Sequence, residues 1–123
     1  MAKVILKKTP IHCAVLCSAA STETITLATD LFIAERETIT TPKVIISGLT
    51  WSVPAGNASI VRGGVTLWLL TYADVFRFDT GWYDNRNLTD NIVVTFPGGG
   101  GTVVIEFMKV EGYGDSEHRN QDI

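Results

Sequence analysis

β-branched residues constrain the fold of this chain more than any other feature of its sequence. The 12 valines, 11 isoleucines and 15 threonines make 38 of the 123 residues β-branched. Such side chains have restricted χ1 rotamers and pack well on a pleated sheet, whereas they are poor helix formers. Short segments of this kind, separated by turn signals, predict an all-β fold: an antiparallel β-sandwich or barrel with short hairpins and at most one short helix.

The length predicts a single domain. At 13.4 kDa and 46% hydrophobic residues, the chain can bury about two thirds of its unfolded surface without a metal or disulfide. We assign residues 1–113 to one β-sandwich domain. Residues 114–123 are polar, with almost nothing to bury, and are predicted to form a mobile tail.

Charge and hydropathy argue against nucleic acid and membrane as partners of this chain. Thirteen acidic and ten basic residues give a net charge of −3, whereas nucleic-acid-binding domains usually carry a basic excess. The longest apolar run is far shorter than the ~18 residues of a membrane-spanning helix. The first eight residues lack the apolar core of a signal peptide. We therefore expect no nucleic-acid partner, no membrane partner and no secretion by a signal peptide.

Alternating polarity locates the strands. Strands are predicted at residues 3–8, 11–17, 22–28 and 44–53. In the last of these, the buried face should carry Ile45, Leu49, Trp51 and Val53. Residues 30–37 fit either a short helix capped by Asp30 or an irregular crossing, and residues 79–91 a long loop.

Glycine-rich turns predict two hairpins. In the first, residues 58–62 and 65–70 flank Gly63-Gly64, which can adopt the positive φ angles of a two-residue turn. In the second, residues 91–96 and 102–110 flank Pro97 and four glycines. Neither a Lys-Ser/Thr pair nor a helix follows these glycines, so a hairpin tip is favoured over a phosphate-binding loop.

The two cysteines are expected to be buried, reduced thiols. Cys13 and Cys17 would lie on one strand face about 13 Å apart, from a rise of ~3.3 Å per residue. A disulfide needs Cα atoms within about 7 Å. A zinc site would need four ligands, and apart from the adjacent His12 the only other histidine is His118 in the tail. We expect no metal and no cofactor.

No catalytic residue is predicted, although one motif suggests an enzymatic alternative. Asp79-Thr80-Gly81 resembles the triplet of retropepsin-like aspartic proteases, in which each subunit of a dimer contributes one Asp. The chain departs from that family because Trp82 follows where a small residue is needed, and because the later supporting strand is absent. With two histidines, the chain also offers no set of nucleophile, base and orienting residue.

The same loop is rich in oxygen ligands that calcium could use. The EF-hand spacing is missing, however, and Arg86 would lie among the ligands. Asp and Asn also favour turns because their side chains bond the local backbone. We therefore favour a turn-rich loop for this cluster, which consists of Asp79, Asp84, Asn85, Asn87 and Asp90.

Aromatic residues are the candidates for an assembly interface. With 19% charged residues and a mean hydropathy of +0.21, the surface should carry apolar patches, which usually mark interfaces. Trp and Tyr are enriched at the anchor positions of such surfaces. Trp68, on the face opposite Leu67, and Trp82 and Tyr83 in the long loop are therefore the predicted contact residues. Exposed aromatics on a β-sandwich would also suit glycan binding.

Several short motifs mark a family resemblance over residues 42–113. They are Pro42-Lys43-Val44 leading to Trp51, Ile60-Val61-Arg62-Gly63-Gly64-Val65, Gly101-Thr102-Val103-Val104-Ile105-Glu106 and Lys109-Val110-Glu111-Gly112-Tyr113. In these the chain resembles small virion structural proteins of tailed bacteriophages, especially the cyanophage type. Gly63 departs from the Asn expected there, but both residues suit the same turn.

The resemblance implies a non-enzymatic virion component, made in the host cytoplasm. Its partners would be the major capsid protein or other virion proteins. The role expected first is a capsid cement or decoration protein that stabilises the shell; the alternatives are a neck or tail component or a glycan-binding adhesion module. Symmetric assembly favours a homo-oligomer, for which a trimer is one option.

Overall fold

The computed structural model describes residues 3–9, 11–19, 22–33, 37, 41–77 and 89–113. Strands make up 72% of these residues, and no helix among them reaches seven residues. The all-β prediction is therefore confirmed. The predictions for residues 79–88 and for the tail from residue 114 lie outside the described residues.

The described strands pair antiparallel in one sheet that curls into a half-barrel. The sheet order is β1-β2-β7-β4-β6-β3, and β5 pairs with β4 outside this path. The elements in chain order are β1 (Lys3–Lys8), β2 (His12–Ala19), β3 (Thr22–Ile25), α1 (Leu27–Asp30), β4 (Lys43–Arg62), β5 (Val65–Arg77), β6 (Ile92–Thr95) and β7 (Gly101–Glu111).

The 20-residue strand β4 holds the two halves of the sheet together. Its first part, residues 43–52, pairs with β7, and its last part, residues 59–62, pairs with β6. Along its other side β5 pairs with both parts, and the ladder is interrupted between Val53 and Ala58. The interruption bends β4, so the sheet curls into a larger half (β1, β2, β7, residues 43–53 of β4 and residues 72–77 of β5) and a smaller half (β3, β6, residues 58–62 of β4 and residues 65–70 of β5).

The first predicted hairpin is confirmed, whereas the second is wrong. Gly63 and Gly64 have φ angles of 60° and 76° and join Arg62 to its partner Val65. Residues 91–96 and 102–110 do contain β6 and β7, but these strands are not paired with each other. Both run antiparallel to β4 and therefore run in the same direction, one after the other. The glycine-rich segment links them opposite the bend of β4.

The buried face of residues 44–53 follows the prediction in its second part, where Leu49 and Val53 are buried and Trp51 packs against the core, but differs in its first part. The register between β4 and β7 shifts between Ile46 and Gly48, which changes the face on which the following residues lie. As a result Val44 and Ile46, which the alternation placed on the other face, are fully buried along with Leu49. A strict period of two cannot anticipate an extra residue within a strand.

The helical turn lies earlier than expected. The strand predicted over residues 22–28 ends at Ile25, and Asp30 is the last residue of α1 rather than its N-terminal cap. The Asp30 carboxylate accepts a hydrogen bond from the Thr26 backbone N–H at 2.8 Å, and the Lys3 ammonium group lies 2.8 Å from the same oxygen. These bonds hold α1 against β1.

The core lies between the two halves of the curled sheet. The buried residues alternate along β2, where they are Cys13, Val15 and Cys17, and along β7. The Tyr113 hydroxyl donates to the Leu27 carbonyl at 2.7 Å, so the segment after β7 closes over α1. The cluster includes Ile25, Leu31, Leu49, Ile60, Leu70, Ile92, Val103, Ile105 and Phe107.

The bend should depend on Gly56. Its φ is +83°, and a Cβ at this position would lie 2.8 Å from Pro97 Cβ. Gly56→Ala should therefore lower the free energy of unfolding by about 2 kcal/mol or more, from the positive φ and the contact together. Gly98→Ala is the matched control, because its Cβ meets nothing within 4 Å, and should change stability by less than about 0.5 kcal/mol. Urea unfolding measures both; equal effects would contradict the role of Gly56.

Candidate interaction surface

The structure describes one of the three predicted contact residues. Trp68 lies opposite Ile60 in the β4–β5 ladder and is half-buried, packing against the core together with Leu67. Its neighbour Leu69, by contrast, is 65% exposed. Trp82 and Tyr83 lie outside the described residues, as does the Asp79-Thr80-Gly81 triplet. Asp90, from the predicted loop cluster, accepts a hydrogen bond through its carbonyl from Arg62 Nε at 3.0 Å.

The outer face of the larger half carries a continuous row of mostly apolar side chains. Directly paired residues of neighbouring strands lie on the same face of a sheet. The pairings therefore connect one residue from each of five strands, in the order Val4, Leu16, Val104, Thr50 and Val75. We call this set the apolar row. Its central members are half-buried, while Val4 and Val75 at its ends are 45% and 53% exposed.

The rows on either side of the apolar row are polar. One row consists of small residues, and its Ser18 and Thr102 hydroxyl groups lie 3.5 Å apart. In the other row the Glu106 side chain lies against Gly48, where a Cβ would come within 3.4 Å of its carboxylate. The small row is Ser18, Thr102, Ser52 and Ala73, and the charged row begins with Lys7, Ala14 and Glu106. An apolar strip with a polar border is typical of protein interfaces.

The far part of β5 adds to this surface. All residues from 71 to 76 are exposed, so both faces of the strand are accessible there. Tyr72 is 77% exposed and Phe76 41%. Both lie on the inner face, because they pair with Val53 and Leu49. Alternation predicted the strand but could not show that it extends beyond the core.

A shallow depression lies beside the bend, next to Tyr72. It has a volume of about 290 Å³ and is lined by residues on both sides of the interrupted ladder, including Pro54, Asn57 and Thr71. Tyr72 has a φ of 59°, which is uncommon for a residue other than glycine. The Trp51 indole N–H donates to the Thr71 carbonyl at 2.9 Å and so fixes the strand beside this strained residue.

A second depression of about 240 Å³ lies over the charged row. Lys7, His12, Ser47 and Glu106 are among its lining residues. Within the described part of the chain, no group of three His, Cys, Asp or Glu residues is placed to hold a metal ion. None of the described helices is long and apolar enough to cross a membrane.

The buried charges form a structural cluster. The Lys109 ammonium group lies 2.9 and 2.8 Å from the two carboxylate oxygens of Glu37, and both side chains are fully buried. Lys109 Nζ also lies 4.3 Å from the centre of the Tyr113 ring. Glu37 accepts a further hydrogen bond from the Ile33 backbone N–H at 2.8 Å. With these bonds and no exposed surface, the pair joins the segment before β4 to β7.

Both thiols are free and buried, as expected. Burial raises the pKa of Cys13 despite the nearby charge of Lys109. Burial, helped by the negative charge of Glu23, raises the pKa of Cys17 to about 11. A thiol is a nucleophile only as the thiolate, so the burial and the raised pKa values predict low reactivity of both cysteines at neutral pH.

Comparisons of the chain with protein-family models, with curated proteins and with solved structures found no match.

Removing one partner of the buried ion pair should destabilise the fold strongly. Lys109→Met removes the Lys109 cation from the buried Glu37 carboxylate and should lower the free energy of unfolding by about 3–5 kcal/mol. Adding Glu37→Gln should recover part of this loss, because the amide oxygen still accepts from Ile33 without a buried charge. A double variant no more stable than Lys109→Met in urea unfolding would contradict this role.

The two thiols should not react with a thiol reagent in the native protein. A chromogenic aromatic disulfide at pH 8 should react with neither Cys13 nor Cys17 in buffer and with both in urea. Stability should also fall as the pH rises from 9 towards 11, because the unfolded thiols lose their protons while the native Cys17, with a pKa of about 11, keeps its own. Rapid labelling in buffer, at the rate seen in urea, would contradict their burial.

Proposed function

We propose that this chain is a non-enzymatic structural component of a tailed-phage virion, acting as a cement or decoration protein on the capsid shell. The apolar row on the outer face of the larger half is the single observation that carries the proposal. A small protein seldom exposes a connected apolar strip that crosses five strands unless that strip has a partner. The resemblance of residues 42–113 to virion structural proteins supplies the kind of partner, a capsid or other virion protein.

The chemistry of this face suits attachment to a shell. The apolar row contributes burial, while the hydroxyl and charged rows beside it can hydrogen-bond and set the orientation. Each contact would be modest, because a row of one side chain from each of five strands offers less than a standard interface of about 800 Å² per partner. Many copies on a repeating lattice compensate for weak individual contacts.

The described chemistry also supports a non-enzymatic role. The thiols are protonated and buried, and the buried Lys109–Glu37 pair has no accessible surface. Among the described residues, the two depressions lie over the sheet face and beside the bend of β4, and most of the residues that line them are exposed or half-buried.

One observation favours a second candidate, a glycan-binding adhesion module. Tyr72 is 77% exposed beside the depression lined by Asn57 and Thr71, and sugars stack on such aromatic rings while bonding to adjacent polar groups. Saturable binding on a glycan array that Tyr72→Ala abolishes would favour this candidate. A cement protein should show no saturable signal.

Incorporation into particles tests the cement proposal. Val104→Lys puts a charge at the centre of the apolar row, and it should reduce the amount of this protein per purified virion by about tenfold while the protein still folds. Thr95→Lys is the matched control, because Thr95 is exposed on the outer face of the smaller half. Its incorporation should equal that of the wild type.

Quantitative mass spectrometry of virions from infected cells measures both variants, and circular dichroism of the purified proteins checks their folding. Equal incorporation of the two variants would refute the role of the apolar row. Wild-type virions that lack the protein would refute the virion proposal itself.

A further inference from the structure

The two edge strands of the larger half of the sheet, β1 and β5, differ in how they are protected against pairing with another chain. Edge strands expose unpaired backbone groups that can pair with another chain, and proteins usually block them with lysines, prolines or short strands. At one edge, the six-residue strand β1 contains three lysines and a register shift before Lys7. β1 is therefore a well-protected edge.

β5, at the opposite edge, contains neither lysine nor proline. It spans 13 residues with the sequence VTLWLLTYADVFR, and among the described strands it pairs only with β4. Its exposed large apolar residues include Leu69 at 65%, Tyr72 at 77% and Val75 at 53%. β5 is irregular at two places: at Leu67, an extra residue between the Ile60–Trp68 and Val61–Thr66 pairs, and at Tyr72, whose φ is positive. From Tyr72 to Arg77 it pairs with β4 without a register shift.

We propose that β5 pairs antiparallel with β5 of a second copy of this chain, about a two-fold axis perpendicular to the sheet. Such an axis makes any strand the antiparallel partner of its own copy, and the contact closes with two chains. β5 contains one acidic and one basic residue, Asp74 and Arg77, so two copies do not repel each other through net charge. Pairing of β5 with β1 of another copy is disfavoured by the β1 lysines.

The available area fits a dimer of moderate affinity. The exposed parts of Leu69, Tyr72, Val75 and Phe76 amount to on the order of 400 Å² per copy. With the paired backbone, two copies would bury about 1,000 Å² in total, near the lower limit for a specific interface. We therefore expect a dissociation constant in the micromolar range, on the order of 1–10 µM.

A two-fold axis beside Val75 would join the apolar rows of the two copies, because Val75 is the β5 end of each row. A continuous strip across ten strands would double the face available for a shell. The inference itself does not depend on the phage assignment, since it concerns association of the purified chain.

Two valines provide a matched test. Val75 and Val4 are the two ends of the apolar row, similarly exposed, on opposite edges of the sheet. In sedimentation equilibrium, Val75→Lys should raise the dimer dissociation constant by at least about tenfold, since lysine at an edge blocks strand pairing. Val4→Lys should change it by less than about twofold. Val104→Lys, which alters the face and not the edge, should dimerise like the wild type.

Cysteine cross-linking tests the geometry without a charged substitution. Thr71→Cys, Ala73→Cys and Val75→Cys, one at a time, scan β5, and only positions near the two-fold axis bring the two Cα atoms within about 7 Å. At least one should give a disulfide-linked dimer under mild oxidation, whereas Val4→Cys should give none. The buried Cys13 and Cys17 should not compete, because both are inaccessible.

The proposal is overturned if the wild type stays monomeric at about 100 µM, if Val4→Lys weakens the dimer as much as Val75→Lys does, or if no β5 cysteine cross-links. These outcomes are distinct from failure of the cement proposal, which would appear as virions that lack the protein.

Discussion

The structure depends on the length and bend of one strand. β4 pairs with β5, β6 and β7, so three of the six other described strands would lose a direct partner without it. Between Val53 and Ala58 its ladder with β5 is interrupted, and Gly56, at a φ of +83° beside Pro97, allows β4 and the β6–β7 link to approach each other there. A straight β4 would give a flat sheet with no enclosed core. The bend therefore allows the sheet to enclose a hydrophobic core.

The same bend determines which surfaces are left for function. Folding the smaller half over the larger one covers the inner face of β2, β7 and β4, where Val15, Ile105 and Leu49 are fully buried. The outer face of the larger half, with the apolar row, is not covered in this way. Residues 71–76 of β5 are exposed, and among the described strands β5 pairs only with β4. The proposals made for this chain accordingly involve a sheet face and a strand edge rather than a cleft.

Sequence reasoning predicted the parts of the fold that depend on local pattern. The β-branched content gave the fold class, residues 3–8 match β1, and the Gly63-Gly64 turn is where the positive φ angles were expected. The errors arose at two features that local pattern does not show: an extra residue within a strand, and the choice of pairing partner between strands distant in sequence. The bulge at Ser47 changed the buried face of β4. β7 pairs with β2 and β4 rather than with β6, because a long partner strand can accommodate two successive strands, and nothing local in the glycine run indicates this.

The candidate surface was less predictable than the fold. Aromatic residues directed attention to Trp68, which is half-buried against the core, and to Trp82 and Tyr83, which lie outside the described residues. The apolar row joins five strands through pairings that only the tertiary structure shows. A usable signal was present in β5, which is long, apolar and free of lysine and proline, unlike the lysine-rich β1. Once the structure shows that β1 and β5 are the edge strands, comparing their sequences points to β5 as the candidate surface.

Electron cryomicroscopy of virions purified from the host in which this protein is made tests the central claim most directly. The account predicts density for the curled sheet on the outside of the capsid shell, with the apolar row, centred on Val104, facing the shell proteins. Virions without this density, or with the apolar row facing solvent, would contradict it.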